Sequence, residues 1–489
     1  MSPFVFVIFG ATGDLAQHKL LPALFSLYKD GQLGQKFYIV GFARRDFTDE
    51  AYAHMLGDEL ELHKDEVWQA FAKNIYYQQG FFDQEHGYQE LILKLNGFDA
   101  EIGACITRVF YLATPPDNYE TILQNLDATK LSEGCGPAFA EAMAGKQGVD
   151  LSAWTRLAIE KPFGKDLNTA RELDRKLSDV FEEKQIYRVD HYLGKETVQN
   201  MLAFRFANSI FEPVWNNRHI DNVQITFAEK KGIGTRGKFF DGVGMLRDVA
   251  QNHLLQLFAA VAMDQPKSFT KESVRDERAK AIKAIRPLTR EDVLKNIVRG
   301  QYSGYMQEKD VSTDSRTETF AAMKLFVDND RFADVPFYLR AGKEMERDLV
   351  EIKVIFKQTC HILFKEYGCP ELGNVLTIRI QPDEGITLRV MAKNPGTKLA
   401  LQAVDMNFSY HQTFGHHGVD AYEKIMLDIL KGDQILFNRS DELDYSWTLI
   451  SQILEGWTTD AQSIPTYKKG SWGPQEAFDL IEKDGRTWL

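Results

Sequence analysis

The period of the hydrophobic pattern changes along the chain, and each change marks an element. Residues 4–9 (FVFVIF) form an unbroken β-branched and aromatic run that ends at Gly10, as a strand buried on both faces does. Residues 20–31 (LLPALFSLYKDG) space their apolar positions helically and stop at a glycine, and 36–45 (KFYIVGFARR) return to a buried strand. Strand, turn, helix and strand in about forty residues predict a right-handed βαβ unit that opens a parallel sheet. Residues 108–116 (RVFYLATPP) and 155–164 (TRLAIEKPFG) read as later strands of that sheet, each ending in a proline-containing loop. A helix follows from Asn168 to about Lys184.

Beyond residue 190 the texture changes. Residues 191–208 (HYLGKETVQNMLAFRFAN) predict a long helix, 222–230 (NVQITFAEK) a strand, and 245–263 (MLRDVAQNHLLQLFAAVAM) a strongly amphipathic helix. FYLRAGK, LVEIKVIFK and VLTIRIQP then read as strands with no helices between them, which points to antiparallel pairing. The expected fold class is α/β. A Rossmann-like doubly wound parallel sheet occupies residues 1–188, and a larger α+β domain with a mainly antiparallel sheet occupies 189–489. The stretch from Lys130 to Asp150, rich in Gly and Ala, breaks the rhythm and reads as a surface excursion.

Length and composition agree with a multidomain globular chain: 489 residues, 44% hydrophobic and 26% charged. Acidic residues outnumber basic ones by 70 to 58, a formal charge of −12, which argues against a nucleic-acid partner. An anionic substrate would need a local basic cluster set against that field. The apolar run at residues 3–9 is too short to span a membrane and carries neither a basic leader nor a cleavage site. Cys105, Cys135, Cys360 and Cys369 show no CxxC pairing. They read as reduced thiols of a cytoplasmic protein, with neither a disulfide nor a metal site expected.

The turn after the first strand, GATGDLA (10–16), has the rhythm G-x-x-G-x-x-A. In a dinucleotide fingerprint the third small residue lets the helix pack on the strand, and Ala16 can serve there. The helix N-terminus would still turn its amides to phosphate. Alone, the turn is equally consistent with a purely structural bend. The end of the second strand adds more. It carries Arg44 and Arg45 where an NAD site places a carboxylate. Two guanidinium groups suit the 2′-phosphate of NADP.

RVDHYLGKE (188–196) packs Asp190, His191, Tyr192 and Lys195 into six positions. A helix starting near His191 would take Asp190 as its N-cap. It would set His191 and Lys195 one turn apart near the positive end of the dipole, a setting for a phosphate. A merely solvated helix start is the alternative. In RDVAQNHL (247–254), Asp248 and His253 are five apart, a spacing that does not by itself place them on one face. Gln251 and Asn252 beside them need partners in an apolar helix. Lys161 lies just past a strand end, where α/β proteins bind ligands, and Glu160 next to it is a candidate to neutralise it.

GATGDLA, IEKPFG, RVDHYLGKE, RDVAQNHL, VPFYLRAGK and YKKGSWGP occur in this order in glucose-6-phosphate dehydrogenases, and the chain resembles that family from about residue 4 to about residue 480. The resemblance implies oxidation of glucose 6-phosphate to 6-phosphogluconolactone with NADP, the first step of the oxidative pentose phosphate pathway. It casts His253 as the general base and Asp190 as its partner. It gives His191, Tyr192 and Lys195 to the 6-phosphate, and Lys161, Glu229, Asp248 and Lys343 to the sugar. Gly10, Thr12, Gly13, Asp14 and Leu15 match the phosphate turn, with Lys19 close by. Arg44 and Arg45 match the 2′-phosphate contacts, Pro116 matches the nicotinamide-side loop, and Lys161 also adjoins the cofactor. The family's proteins are dimers or tetramers, so a homodimer or homotetramer is implied. Departures from the family pattern are a threonine in the first motif where serine is commoner and a longer Lys130–Asp150 stretch. Two rivals share the nucleotide turn. One is a sugar oxidoreductase of the glucose–fructose oxidoreductase type, which the phosphate cluster HYLGK argues against. The other is a non-catalytic NADP-binding regulator, which the presence of both Asp190 and His253 argues against.

Overall fold

A computed structural model describes residues 1–134, 155–415, 420–458 and 463–489. Most of the Lys130–Asp150 stretch lies outside the described residues. Six strands lead the chain: β1 (Phe4–Phe9), β2 (Phe37–Ala43), β3 (Ile75–Gln79), β4 (Thr107–Leu112), β5 (Thr155–Glu160) and β6 (Ile186–Val189). They form a parallel sheet in the order β6-β5-β4-β1-β2-β3, the doubly wound order that places a crevice between β1 and β4. The unbroken apolar run of β1 has a direct cause. Phe4, Phe6 and Ile8 enter one core, and Val5, Val7 and Phe9 enter another on the opposite face.

The second sheet is built from β7 (Ile220–Ala228), β8 (Ile297–Tyr302), β9 (Phe320–Leu325), β10 (Phe337–Gly342), β11 (Leu349–Phe356), β12 (Val375–Gln381), β13 (Gly385–Lys393) and β14 (Leu401–Ser409). Neighbours pair antiparallel except β7 with β10. The last two short strands, β15 (Phe437–Asn438) and β16 (Thr466–Tyr467), join one sheet each. β15 runs antiparallel beside β6, and β16 runs parallel beside β8. The C-terminal chain therefore returns to complete the first sheet. The larger core merges both halves: Tyr187 and Val189 of β6 share it with Val223 of β7 and with Leu254 and Phe258.

Three elements differ from expectation. The helix near Asn168 runs only over Leu167–Ser178, closed at its start by a capping box between Asp166 and Thr169. The 3-10 turn Glu183–Gln185 and β6 follow it. The long helix begins at Glu196, not near His191. Residues 190–195 are tight turns instead, with Leu193 N–H on Asp190 O at 3.0 Å and Lys195 N–H on Tyr192 O at 3.2 Å. Asp190 is thus no helix cap, and His191 and Lys195 do not share a helix face. Residues 245–263 are enclosed on nearly every side rather than amphipathic, and the segment Leu246–Leu254 is a π-helix that passes into the α-helix Leu255–Ala262.

The reading of the cysteines as reduced thiols is corrected: Cys360 and Cys369 form a disulfide with Cα atoms 5.8 Å apart. The helical turns His361–Phe364 and Lys365–Tyr367 double the chain back, so nine residues of sequence become a distance a disulfide spans. Cys105 is likewise disulfide-bonded.

Candidate active site

The carboxyl ends of β1, β2, β4, β5 and β6 line one edge of the first sheet, and the candidate residues follow them. Gly10 leaves β1 with φ +85°, and its N–H donates to Phe42 O of β2 at 2.9 Å. A Cβ there would lie 2.6 Å from Ala113 O, so only glycine lets the loop after β4 cross this close. Gly13 N–H closes the turn onto Gly10 O at 2.9 Å. The helical segment that follows, π-helical over Ala16–Leu20, starts with N–H groups that lack intrahelical acceptors. Ala16 is fully buried, as close helix packing requires. Thr12 and Leu15 are half-buried, while Asp14 and Lys19 are exposed. Asp14 faces His18 Nε2 at 3.3 Å.

Arg44 and Arg45 are exposed beyond β2, and neither guanidinium has an ion-pair partner among the described residues. Their backbone is fixed: Tyr77 O–H donates to Ala43 O at 2.9 Å and to Arg45 O at 2.6 Å, and Gln79 donates to Arg44 O at 3.3 Å. Two cationic heads on an anchored loop beside a glycine turn could hold an anion at this edge. Pro116 opens the 3-10 turn that follows β4.

The buried chemistry centres on His253 and Asp190, which are 2% and 1% exposed. His253 Nδ1 lies 2.5 Å from Asp190 Oδ1, and the same oxygen accepts the Tyr192 N–H at 3.0 Å. Asp190 Oδ2 is buried with no hydrogen-bond partner among the described residues. Burial lowers the pKa of His253, and the adjacent carboxylate of Asp190 only partly offsets this. The imidazole therefore stands neutral at pH 7, with Nδ1–H on Asp190 and the Nε2 lone pair free, the state a general base requires.

Rings wall this dyad. Tyr192 and His191 lie 4.4 and 4.9 Å from His253 between centroids, and Phe227 stacks on it at 5.9 Å. Lys195 Nζ sits 5.4 Å above the Tyr192 ring. Burial depresses His191 to about 3, so it too is neutral before a ligand arrives.

The π-helix answers the spacing of Asp248 and His253. Its i→i+5 bonds, such as Leu255 N–H to Ala250 O, stack residues five apart. Lys161 Nζ donates to Asp248 O at 2.9 Å and reaches Asp248 Oδ1 at 3.4 Å, with Arg236 3.5 Å from Oδ2. Burial works to raise the Asp248 pKa, but Lys161, Arg236 and Lys343 hold it below the usual carboxylate range. Lys343 Nζ donates to Glu229 Oε2 at 2.5 Å. Gln251 and Asn252 have structural partners, Ser446 Oγ at 2.9 Å and Asp248 O at 3.2 Å.

Glu160 does not neutralise Lys161. It accepts hydrogen bonds from Tyr111 at 2.5 Å and Tyr422 at 3.2 Å, and burial raises its pKa to about 7. Tyr422 lies parallel to the His191 ring at 6.1 Å. Sequence reasoning missed Tyr422, and it also missed Arg236, Phe227 and Gln381, which donates to the Tyr192 hydroxyl at 3.2 Å. Each arrives from a distant element, and none stands in a stretch whose composition sets it apart.

Comparison with known proteins places the chain in a family. Residues 7–200 match the family model "Glucose-6-phosphate dehydrogenase, NAD binding domain", and residues 202–489 match "Glucose-6-phosphate dehydrogenase, C-terminal domain". The glucose-6-phosphate 1-dehydrogenase of Chlamydia muridarum (strain MoPn / Nigg) is 42% identical over 505 residues, covering 99% of this chain and 96% of that protein. A solved glucose-6-phosphate dehydrogenase in complex with its substrate glucose 6-phosphate superposes with a TM-score of 0.88 at 35% identity, over 99% of this chain and 98% of that one. The crystal structure of the Mycobacterium avium enzyme gives 0.84 at 32% identity, over 100% and 98% of the two chains.

Proposed function

Because the chain belongs to the glucose-6-phosphate dehydrogenase family, we propose that it oxidises C1 of glucose 6-phosphate with NADP, releasing 6-phosphogluconolactone, with His253 as the base. The observation that carries this reading is the buried, neutral His253 held at Nδ1 by Asp190. His253 Nε2 takes the proton of the C1 hydroxyl as the C1–H bond breaks, and the C1–O bond becomes the carbonyl of the lactone. The imidazolium so formed sits against a carboxylate whose second oxygen meets no competing donor among the described residues, as aspartate supports histidine in a triad. Lys195, His191 and Tyr192 hold the 6-phosphate. Lys161, pinned by Asp248, and the Lys343–Glu229 pair hold the sugar hydroxyls.

The family's nucleotide domain takes a nicotinamide dinucleotide, and we assign it as NADP. NADP, when bound, supplies the acceptor for the hydride leaving C1. The residues present fit it: Gly10, Thr12, Gly13, Asp14 and Leu15 offer the backbone of a helix start to pyrophosphate. Arg44 and Arg45 offer guanidinium groups to the 2′-phosphate, and Pro116 flanks the nicotinamide side. With the chain divided at residues 188/189, the cofactor edge belongs to the first part and the base to the second.

A homodimer or homotetramer is part of the proposal. Among the described residues β14 is a sheet edge with most of its residues exposed, Val404 and Met406 among them, and an open strand edge favours association. We place the enzyme in the cytoplasm, where both charged reactants would be retained. No helix among the described residues is long and apolar enough to cross a membrane. The test is spectroscopic: nicotinamide reduction with glucose 6-phosphate against glucose, and with NADP against NAD. Turnover of both sugars at similar kcat/KM would refute the phosphate assignment, and equal use of both dinucleotides would refute the role of the arginines.

A further inference from the structure

Far from the dyad, the crossover between β2 and β3 carries a second cluster of ligating side chains. His54 and Asp58 stand one turn apart on the helix Asp49–Glu59. Past that helix Glu61 takes a left-handed conformation, φ 56°. The chain then folds back, with Glu61 N–H on Asp58 O at 3.1 Å and Leu62 N–H on Gly57 O at 2.9 Å. This reversal brings His63 over the helix. The position is built: a Cβ at Gly57 would lie 2.9 Å from His63 Nδ1 and 2.8 Å from Trp68 Nε1, so the glycine makes room for both rings. Gln69 Nε2 fixes the His63 carbonyl at 3.1 Å.

The donor atoms face one another. His54 Nδ1 lies 3.1 Å from Asp58 Oδ2, and His63 Nε2 makes a short contact with Asp58 Oδ1. The two rings are 4.2 Å apart between centroids, and one donor atom from each of the three residues falls within 4.8 Å of the others. A tetrahedral zinc site with bonds of about 2.0–2.1 Å has ligand–ligand edges of about 3.3 Å. The His54–Asp58 edge is near that value. The His63–Asp58 contact is shorter than that edge and must open, an adjustment that exposed side chains allow, His54 being 70% and Asp58 61% exposed.

We propose that His54, Asp58 and His63 form an accessory site for a divalent transition-metal ion of the zinc class, with water in the open position. Two imidazoles and one carboxylate select such ions over Mg²⁺ and Ca²⁺, which take oxygen ligands. The ion would staple the end of the helix to the loop leading to the next helix, Glu66–Ala72, and it takes no part in the reaction.

The experiment uses the untagged full-length enzyme with saturating glucose 6-phosphate, which covers the other cluster of similar donors, Asp190, His191 and His253. Titration with Co²⁺ should give one equivalent with the visible absorption of a tetrahedral nitrogen–oxygen site. Zn²⁺ at a hundredfold excess over its Kd should raise Tm by about 2–3 °C. His63→Ala and, independently, His54→Ala should abolish both signals and leave kcat unchanged. Binding that survives in either variant, no stoichiometric uptake by the wild type, or uptake that glucose 6-phosphate prevents would each overturn the proposal.

Discussion

Asp190→Asn isolates the charge behind the base. Asp190 Oδ1 accepts both His253 Nδ1–H and Tyr192 N–H, so the variant's amide oxygen inherits both bonds. Turning the amide round would present an NH₂ to the Tyr192 N–H, which pins the oxygen where it is and keeps His253 in its working tautomer. What the substitution removes is the negative charge that faces the imidazolium as the proton arrives. At a centre-to-centre separation of about 4 Å and an effective dielectric of about 20, that interaction amounts to about 4 kcal/mol. The dipole of the amide returns part of it, which leaves a loss of about 2–4 kcal/mol, or about 30- to 1000-fold in kcat. A triad histidine whose aspartate becomes asparagine loses about 10⁴ because its tautomer is also wrong, so the smaller figure is specific to the shared oxygen seen here.

Steady-state kinetics of the variant should therefore show kcat reduced about 30- to 1000-fold, with KM for glucose 6-phosphate nearly unchanged. The pH profile supplies a second reading. Asp190 pulls the His253 pKa upward against burial, so removing its charge lowers that pKa further. The acidic limb of kcat/KM should move to lower pH. A well-folded variant with kcat within tenfold of wild type, or a limb displaced to higher pH, would refute the role given to the carboxylate.

Four further outcomes are expected. Lys195→Ala should raise KM for glucose 6-phosphate about 10- to 100-fold, the worth of a charged hydrogen bond, while activity on glucose stays as it was; an equal loss on both sugars would place Lys195 away from the phosphate. Arg44→Ala should narrow the ratio of kcat/KM for NADP over NAD by about tenfold or more, and an unchanged ratio would exclude the contact. His191 is neutral before substrate binds, held near 3 by burial, and a phosphate beside it should draw a proton onto the imidazole. Calorimetry in buffers of different ionisation enthalpy should then show proton uptake on binding, lost in His191→Gln. Glu160, raised to about 7 by burial, holds its proton more tightly folded than unfolded, so its contribution to stability is complete below about pH 4.5 and lost as pH rises to about 7, a change of about 2–3 kcal/mol. Melting curves of wild type and Glu160→Gln across that range should diverge, and parallel curves would show that Glu160 does not titrate there.

The first sheet was legible at β1, β2, β4 and β5 because strands covered on both faces are mainly apolar, and the polar residues of β4 and β5 sit at their ends. β13 and β14 left no such trace, since one end of the second sheet stays open and its strands mix exposed residues with buried ones. β15, two residues long, completes the first sheet from far along the chain, which no local pattern can announce. The same limit hid Tyr422. It comes from the helix Ala421–Lys431, whose backbone lies so close to the 190–195 turns that a Cβ on Gly194 would stand 2.8 Å from Ala421 O. The disulfide was missed for a related reason, because two helical turns set its closure and the spacing does not.

The candidate site was legible by residue type and illegible by phase. Asp190, His191, Tyr192 and Lys195 were read as chemistry, but on a helix that the chain does not form there. Two tight turns hold them instead, and those turns let Asp190 point at His253 while its backbone neighbour Tyr192 supplies both a wall and an N–H. In the same way Asp248 and His253 looked out of phase for an α-helix. The π-helix over Leu246–Leu254 brings them onto one face, and burial on all sides supports the departure from ordinary helical winding. The misread helix at 190–195 and the open phase of Asp248 and His253 both came from assuming regular helices, and both departures occur where a side chain of the proposed site has to be aimed. Regular periodicity therefore locates this scaffold, and its local failures mark the residues that the scaffold holds in working position.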